Sequence, residues 1–133
     1  MQRLIELSTL TGACAIALRD RFGGLFSNNS GLIAELRTAG EAFGEDLWHL
    51  PLSEEIKVGL AGGVSDLVNS IGSRFGGAIE AAEFLHYFVE KDVEWAHLDI
   101  AGMVLDKELK QHRSNKSLAS GFGVGTLLNL LAK

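Results

Sequence analysis

The 133-residue chain has one cysteine, one proline and no apolar run near the roughly 20 residues that cross a bilayer. The single cysteine, Cys14, cannot form an internal disulfide. Its small apolar neighbours indicate a buried packing thiol in a reducing compartment, and the local sequence offers neither the histidine nor the positive charge that a catalytic thiol needs. With 16 glycines against one proline, turns are predicted to be made by glycine rather than by stiff linkers.

Positive charge is scarce as well. Lys and Arg number 12 against 17 Asp and Glu, which gives a formal net charge of −5, and the basic residues form no cluster. This pattern argues against nucleic acid as a partner. The N-terminal stretch "MQRLIEL" shows no basic region followed by an apolar one, as a secretory signal would. We therefore expect a cytoplasmic protein that binds neither nucleic acid nor a membrane.

Hydrophobic periodicity predicts strands that alternate with helices. Strands are expected at residues 3–10, largely buried, and in "EWAHLDIAG", with a short extended piece in "LWHLPL" and two to four strands in all. The predicted helices cover residues 13–22, stopped by a glycine pair, and 30–43, 77–90 and 123–132, with a brief one capped by Ser53. The glycine-punctuated stretch "GGVSDLVNSIGSRFGG" (residues 62–77) is predicted to be mainly loop or broken structure, and residues 106–117 are a predicted loop. Alternation of this kind predicts an α/β fold, layered α/β/α around a mixed, largely parallel sheet.

Several motifs with known chemistry are absent or incomplete. There is no Gly-x-Ser-x-Gly elbow and no His-Glu-x-x-His zinc helix. Glu83 and His86 have the spacing of a di-iron helix, but a single copy favours an exposed helix face. His97 and Asp99 share a strand face and could be ligands or an acid–base pair, although a buried structural histidine with a hydrogen-bonded aspartate is favoured. "GFGVGTLL" predicts a glycine turn that starts the last helix rather than a nucleotide loop.

The stretch "STLTGA" is the strongest candidate that the residues themselves provide. Backbone groups at the carboxyl end of a strand, released from the sheet by a glycine, are free to bind a ligand, and open α/β sheets bind ligands at that edge. An ordinary strand–helix connection is the alternative.

Four segments, "LIELSTLTGACAIAL", "DLVNSIGSRFGGAIEAAEFL", "WAHLDIAG" and "ASGFGVGTLLNLL", resemble in order and spacing the C-terminal part of the leucyl aminopeptidase (cytosol aminopeptidase) family. The resemblance covers nearly the whole chain. It implies a zinc-exopeptidase-like catalytic domain, of which residues 1–133 are expected to be an incomplete, C-terminal portion. The family's enzymes remove N-terminal residues from peptides with two divalent ions (Zn, Mn or Mg) and assemble as hexamers.

The resemblance also implies residue roles, all of them in substrate binding. The position of Thr9 lines the pocket for the first side chain, Leu10 offers its backbone carbonyl to the substrate, and Gly12 gives a backbone contact and room for the ligand. Ala101 and Val104 line the same first pocket, with Val104 standing where Met is common, so that the cavity is expected to be larger and stiffer. The position of Ile71 packs against the second substrate residue. Three further departures from the family pattern are Glu6 for Asp, Ser8 for Ala and Gly125 for Arg.

No catalytic residue and no metal ligand transfers to this chain. The family's ligands and catalytic Arg lie upstream of the "TLTGA" strand, most recognisably in Asn-Thr-Asp-Ala-Glu-Gly-Arg, which this sequence lacks. The chain's carboxylates are expected on solvated faces: Glu41, Glu45, Glu54, Glu55, Glu80 and Glu83. We therefore expect no bound metal and no peptidase activity from the chain alone.

Three interpretations of function follow. In the first, the chain works as part of an aminopeptidase on peptide substrates, with a complementing N-terminal portion or with further copies of itself in a homo-oligomer. In the second, it is a catalytically inactive interaction or structural module derived from the family. In the third, its glycine turns bind an unrelated small ligand.

Overall fold

The computed structural model describes residues 2–104 and 119–132. In this part of the chain there are four strands, five α-helices and one 3-10 helix. The strands are β1 (Gln2–Ser8), β2 (Gly23–Ser27), β3 (Leu47–His49) and β4 (Val93–Asp99). The helices are α1 (Gly12–Leu18), α2 (Ser30–Glu41), α3 (Glu54–Gly59), α4 (Gly77–His86), α5 (Val124–Leu131) and the 3-10 helix (Ala101–Val104). The predicted loop at 106–117 lies outside the described residues.

The strands form one mixed sheet in the order β1-β4-β2-β3. Strand β1 runs parallel to β4, β2 runs antiparallel to β4, and β3 runs parallel to β2. Ser8 lies opposite Asp99, so that β1 and β4 end together at one edge of the sheet. The prediction of a mixed, largely parallel sheet is confirmed, and this shared edge is where the candidate site forms.

Side chains alternate along β4 and divide the core into two clusters, one on each face of the sheet. Ala96 and Leu98 pack with residues of α2, and Leu130 of α5 lies against the same cluster. Trp95 points to the other face, where it packs with residues of α1 and α4. Helices therefore cover both faces, which confirms the α/β/α layering.

Strand β2 is the element that the sequence prediction missed. The pair Gly23-Gly24 is predicted to stop a helix, but it opens a strand whose five residues are all buried. A Cβ on Gly24 would lie 2.6 Å from the Cys14 Sγ atom, and one on Gly23 would lie 2.9 Å from the Phe122 ring. The glycines are therefore needed for close packing on both sides of a central strand, and helix α1 ends four residues earlier than predicted.

Strand β1 is less buried than predicted. Its first three residues are exposed, Leu4 to 46%, and the other four are half-buried. The reason is its position, because β1 is an edge strand with β4 on one side only in the described part of the sheet.

Helix α4 buries a different face from the one expected. The sequence predicts an apolar face of Ala81, Phe84, Leu85 and Phe88, and Phe88 in fact follows the helix and is 67% exposed. The buried residues of α4 are Ala78, Glu80, Ala82 and Glu83.

The prediction of an exposed Glu83 is therefore wrong, and Glu80 is not solvated either. Each carboxylate is buried because it accepts a hydrogen bond from a backbone N–H of another segment, Glu83 from Ser53 and Glu80 from Ile71. Such bonds compensate for the loss of water around a buried charge.

Glu45 also departs from the predicted solvated role. The first turn of α5 follows Gly123, whose φ of +94° supports the predicted glycine turn. Glu45 accepts hydrogen bonds there from the Gly125 and Thr126 amides, at 3.3 and 2.7 Å, and from the Thr126 hydroxyl at 2.6 Å. The carboxylate of the chain's own Glu45 therefore occupies the positive end of this helix. Of the remaining acidic residues expected on solvated faces, Glu41, Glu54 and Glu55 are exposed as predicted.

Candidate functional site

The candidate site is built around Asp99, the last residue of β4, which is 1% exposed. Its carboxylate accepts a hydrogen bond of 2.7 Å from the Thr11 hydroxyl and one of 3.2 Å from the Ala101 amide. The Thr11 amide lies 3.5 Å from the same carboxylate. Asp99 therefore ties the turn that follows β1 to the turn that follows β4.

Thr11 itself starts helix α1. Its hydroxyl accepts a hydrogen bond of 3.0 Å from the Cys14 amide, as an N-cap residue does, while it donates to Asp99. This fixes the turn made of Thr9, Leu10 and Gly12, in which all three residues are exposed, Leu10 to 41%. A Cβ on Gly12 would meet no atom within 4 Å, so the space beside the turn is open.

The 3-10 helix forms the second side of the candidate site. Ala101 is 8% exposed and lies at its start, and Val104 is its last residue, whose side chain is outside the described part. Gly102 lies so close to α1 that a Cβ there would overlap the Arg19 carbonyl oxygen. The structure thus joins Ala101 to the turn at Thr11 through the carboxylate of Asp99, and the role of these residues in one pocket stays a prediction.

Ile71 lies on a separate, glycine-rich loop and is 43% exposed. Its amide donates a hydrogen bond of 2.9 Å to the Glu80 carboxylate of α4. Helix α4 in turn packs on α1, where a Cβ on Gly77 would lie 3.3 Å from the Ala13 Cβ. Helix α4 therefore connects the Ile71 loop with the element that begins at Gly12.

His97 is buried as predicted, but its neighbour differs from the one expected. Its Nδ1 atom lies 3.1 Å from the Glu6 Oε1 atom on β1, whereas Asp99 is bonded to Thr11 and Ala101. The ring stacks against those of Phe26 and Trp95, at centroid distances of 5.8 and 6.4 Å. Asp99 and His97 thus have different partners, and they do not form an acid–base pair with each other.

Two residues of the site were not singled out from the sequence. Thr11 could have been found, because a threonine just before a small, apolar helical stretch is an N-cap signal. Glu80 carries no such signal, since its partner amide is nine residues away on a loop with no regular pattern.

Cys14 lies directly beneath this turn and is 1% exposed, which confirms the buried thiol. Burial raises the pKa of the Cys14 thiol to about 11, and the negative charge of Asp99 acts in the same direction. The thiol of the unfolded chain titrates near 9.0, its ordinary value. The folded chain therefore binds more protons than the unfolded chain between these two pH values.

We expect the contribution of Cys14 to stability to be complete below pH 9 and to be lost as the pH rises through about 11. The measurement is the free energy of unfolding in urea at a series of pH values from 8 to about 11. Cys14→Ala is the matched variant, because it removes this titration and keeps all others. Parallel curves for the two proteins would contradict the prediction.

The described residues offer few ligands for a metal ion. Within residues 2–104 and 119–132, no three His, Cys, Asp or Glu side chains gather in a group that could hold a metal ion. The best-placed carboxylate, Asp99, is already bonded to Thr11 and Ala101. The described residues do not fit a site for two divalent ions by themselves.

The sequence model of one protein family, the "Cytosol aminopeptidase family, catalytic domain", matches residues 1–128 of the chain. Similar relatives include probable cytosol aminopeptidases of Prochlorococcus marinus, 45% identical over 126 residues, and of Synechococcus elongatus, 48% identical over 126 residues. Each alignment covers 95% of this chain and 25% of the relative. The chain therefore spans about a quarter of the length of the relatives that it matches.

Two solved structures share the fold. A tomato leucine aminopeptidase mutant superposes with a TM-score of 0.87 at 42% identity, covering 98% of this chain and 24% of that one. The bottromycin maturation enzyme BotP, in complex with Mn, superposes with a TM-score of 0.81 at 35% identity, covering 96% and 28%. With the family model matched from residue 1 to residue 128, this chain belongs to the cytosol aminopeptidase family.

Proposed function

We propose that this chain is the C-terminal portion of a metal-dependent aminopeptidase domain and supplies the walls of its substrate pocket. The observation that carries the proposal is the rigid, open turn at Thr9–Gly12, held beside Ala101 by the buried carboxylate of Asp99. A fixed turn with free backbone groups at the carboxyl end of a strand suits the binding of a peptide backbone.

The roles of the wall residues are part of this proposal. Thr9, Ala101 and Val104 line the pocket for the N-terminal side chain of the peptide. The Leu10 carbonyl accepts a hydrogen bond from the substrate, and Gly12 leaves room for the substrate backbone. Ile71 packs against the second residue. The exposure of Ile71, at 43%, supports its role because its side chain can reach a ligand, and Leu10, at 41%, lies in the same open turn as Gly12.

The two divalent ions of the complete enzyme are proposed to be held by residues outside this chain, upstream of the "TLTGA" strand. Mn, Zn and Mg are the candidates, and the Mn complex of the similar enzyme BotP supports the first of them. When bound, such ions polarise a peptide carbonyl and supply a water-derived nucleophile. The residues described here position the peptide and exclude water around it.

The remainder of the catalytic domain is the proposed partner that covers the exposed apolar surface, with a homo-oligomer as the alternative. Among the described residues β1 pairs on one side only, which supports this, together with Ile16 and Phe75, which are 86% and 79% exposed. Surfaces of this kind mark contacts with other protein. A cytoplasmic location is proposed from the names of the relatives. No helix in the described residues is both long and apolar enough to span a membrane.

A second candidate function is an inactive structural module that keeps the family's fold. The lack of a metal-holding group among residues 2–104 and 119–132 is expected of this candidate and of the first one alike. The two candidates differ in whether the pocket walls serve catalysis once the rest of the domain is present.

The test compares two proteins, the chain alone and the chain fused behind the preceding part of the Synechococcus relative, each with added Mn. We expect no hydrolysis of a chromogenic leucine substrate by the chain alone and clear hydrolysis by the fusion. Gly12→Val in the fusion should lower kcat/KM about tenfold or more by filling the pocket. It should leave folding intact, because a Cβ at Gly12 meets no atom within 4 Å.

Hydrolysis by the chain alone would contradict the proposed division of roles. An inactive fusion, made beside an active intact relative, would overturn the proposal and favour the structural module.

A further inference from the structure

We infer that Glu80 is a positioning residue that sets the selectivity for the second residue of the peptide, by holding Ile71 in place. The inference rests on the proposed role of Ile71 as a substrate-contacting wall. In this inference α4 contributes no substrate-contacting residue itself, but it fixes the position of Ile71.

The main evidence is the bond between Glu80 and the Ile71 backbone. The Glu80 side chain is buried, with the residue 6% exposed, and its Oε1 atom accepts a hydrogen bond of 2.9 Å from the Ile71 amide. A carboxylate makes a stronger acceptor than a neutral group, and burial strengthens the bond further. The bond therefore fixes the backbone of a loop that otherwise has little regular structure.

The side chain of Ile71 is fixed from the other side by α3. A Cβ on Gly59 would lie 3.0 Å from the Ile71 Cδ1 atom, so the isoleucine lies directly against the backbone of that helix. Helix α3 is in turn anchored at Ser53, whose amide donates to Glu83, one turn along α4 from Glu80. The two buried carboxylates of α4 thus hold both the wall and the helix against which it lies.

Helix α4 also sets the distance from this wall to the rest of the site. Gly77, in its first turn, packs closely on Ala13, next to Gly12 of the open turn. A peptide that contacts both the turn and Ile71 would therefore span a gap fixed by α4. Loss of the Glu80 bond should free Ile71 and weaken only those contacts that involve the second peptide residue.

The experiment uses the fused enzyme with three variants: Glu80→Ala, Glu80→Gln and, as a control, Glu90→Ala at an exposed position just after α4. Two readouts are taken. The first is the rate of hydrogen exchange in the proteolytic fragment of the enzyme that contains the Ile71 amide. The second is the ratio of kcat/KM for Leu-Leu to kcat/KM for leucinamide, which has no second residue.

We expect Glu80→Ala to speed exchange at Ile71 and to lower the ratio about tenfold, the size of a lost apolar contact in a pocket. The loss should lie mainly in the KM for Leu-Leu. Glu80→Gln keeps an acceptor oxygen and should restore most of the ratio, and Glu90→Ala should match the parent. A general loss of folding would lower both substrates together and leave the ratio unchanged.

Unchanged exchange at Ile71 in Glu80→Ala would overturn the inference, as would faster exchange with an unchanged ratio in an active enzyme. A parent fusion that fails to hydrolyse leucinamide counts against the proposed function instead. In that case the rate of hydrogen exchange at Ile71 still tests whether Glu80 holds the Ile71 backbone in place.

Discussion

Replacing Asp99 with alanine is expected to lower the free energy of unfolding by about 3–4 kcal/mol, because a buried carboxylate that accepts several hydrogen bonds is lost. The Thr11 hydroxyl and the Ala101 amide would lose their acceptor inside the protein. Each unsatisfied buried donor is costly on its own. The turn after β1 and the turn after β4 would no longer be joined.

Urea unfolding, followed by circular dichroism, measures this change. Asp99→Asn keeps one acceptor oxygen in place. It should lower the free energy of unfolding by about half as much as Asp99→Ala does, since a hydrogen bond to a neutral acceptor is roughly half as strong. Asp20→Ala is the control, because Asp20 is exposed and its contact with Arg19 is a loose surface ion pair of 3.8 Å. A loss below about 1 kcal/mol for Asp99→Ala would show that Asp99 does not hold the two turns together.

Gly102→Ala is the second change with a large expected effect. Overpacking should lower the free energy of unfolding by about 3 kcal/mol or more. A methyl group at this position would overlap the carbonyl oxygen of Arg19, which is backbone and not a flexible side chain. Arg19 has little freedom to move away. It ends helix α1 with a φ of +56°, a region that a non-glycine residue adopts only when its surroundings hold it there.

The comparison for Gly102→Ala is Gly63→Ala, because a Cβ on Gly63 would meet no atom within 4 Å. We expect the control to keep the parent's midpoint of thermal unfolding, or to raise it slightly by restricting the unfolded chain. Equal midpoints for the two variants would contradict the close approach of the 3-10 helix to α1.

Much of the fold could be predicted because local signals and tertiary structure agree. Asn29 and Ser53 begin α2 and α3 as N-cap residues, and each accepts a hydrogen bond from the backbone amide three residues on. The strict alternation in "EWAHLDI" correctly predicts the two faces of β4. Where hydrophobic residues repeat clearly with a period of two or 3.6 residues, as in these segments, the sequence is sufficient to predict the strand or helix.

Strand β2 could not be predicted, because its glycines have a cause that lies elsewhere in the chain. Gly23 and Gly24 look like the end of a helix, yet they leave space for Phe122 and for the Cys14 thiol. A glycine that is required for close packing cannot be told from one that breaks a helix without knowing what packs on it.

The buried carboxylates form a second class that sequence alone does not identify. Glu45, Glu80 and Glu83 each accept a backbone hydrogen bond from outside their own helix or turn, and the donors lie 81, 9 and 30 residues away in sequence. By composition they look like ordinary surface residues, and only the tertiary structure supplies the donors. The sequence hypothesis therefore concerns the walls of the candidate site, whereas the contacts by which Thr11 and Glu80 hold those walls are visible only in the structure.

The sheet order β1-β4-β2-β3 has a consequence for how the chain folds. Strands β2 and β3 are close in sequence, but Arg3 on β1 pairs with Glu94, 91 residues later. Closing so long a loop costs entropy before any contact forms, which makes this pairing a late step. During synthesis on the ribosome, β1 is made before β4, so the edge of β1 that pairs with β4 stays open until β4 has emerged. A nascent chain that stalls before Val93 would therefore expose this edge of β1 to chaperones and to aggregation.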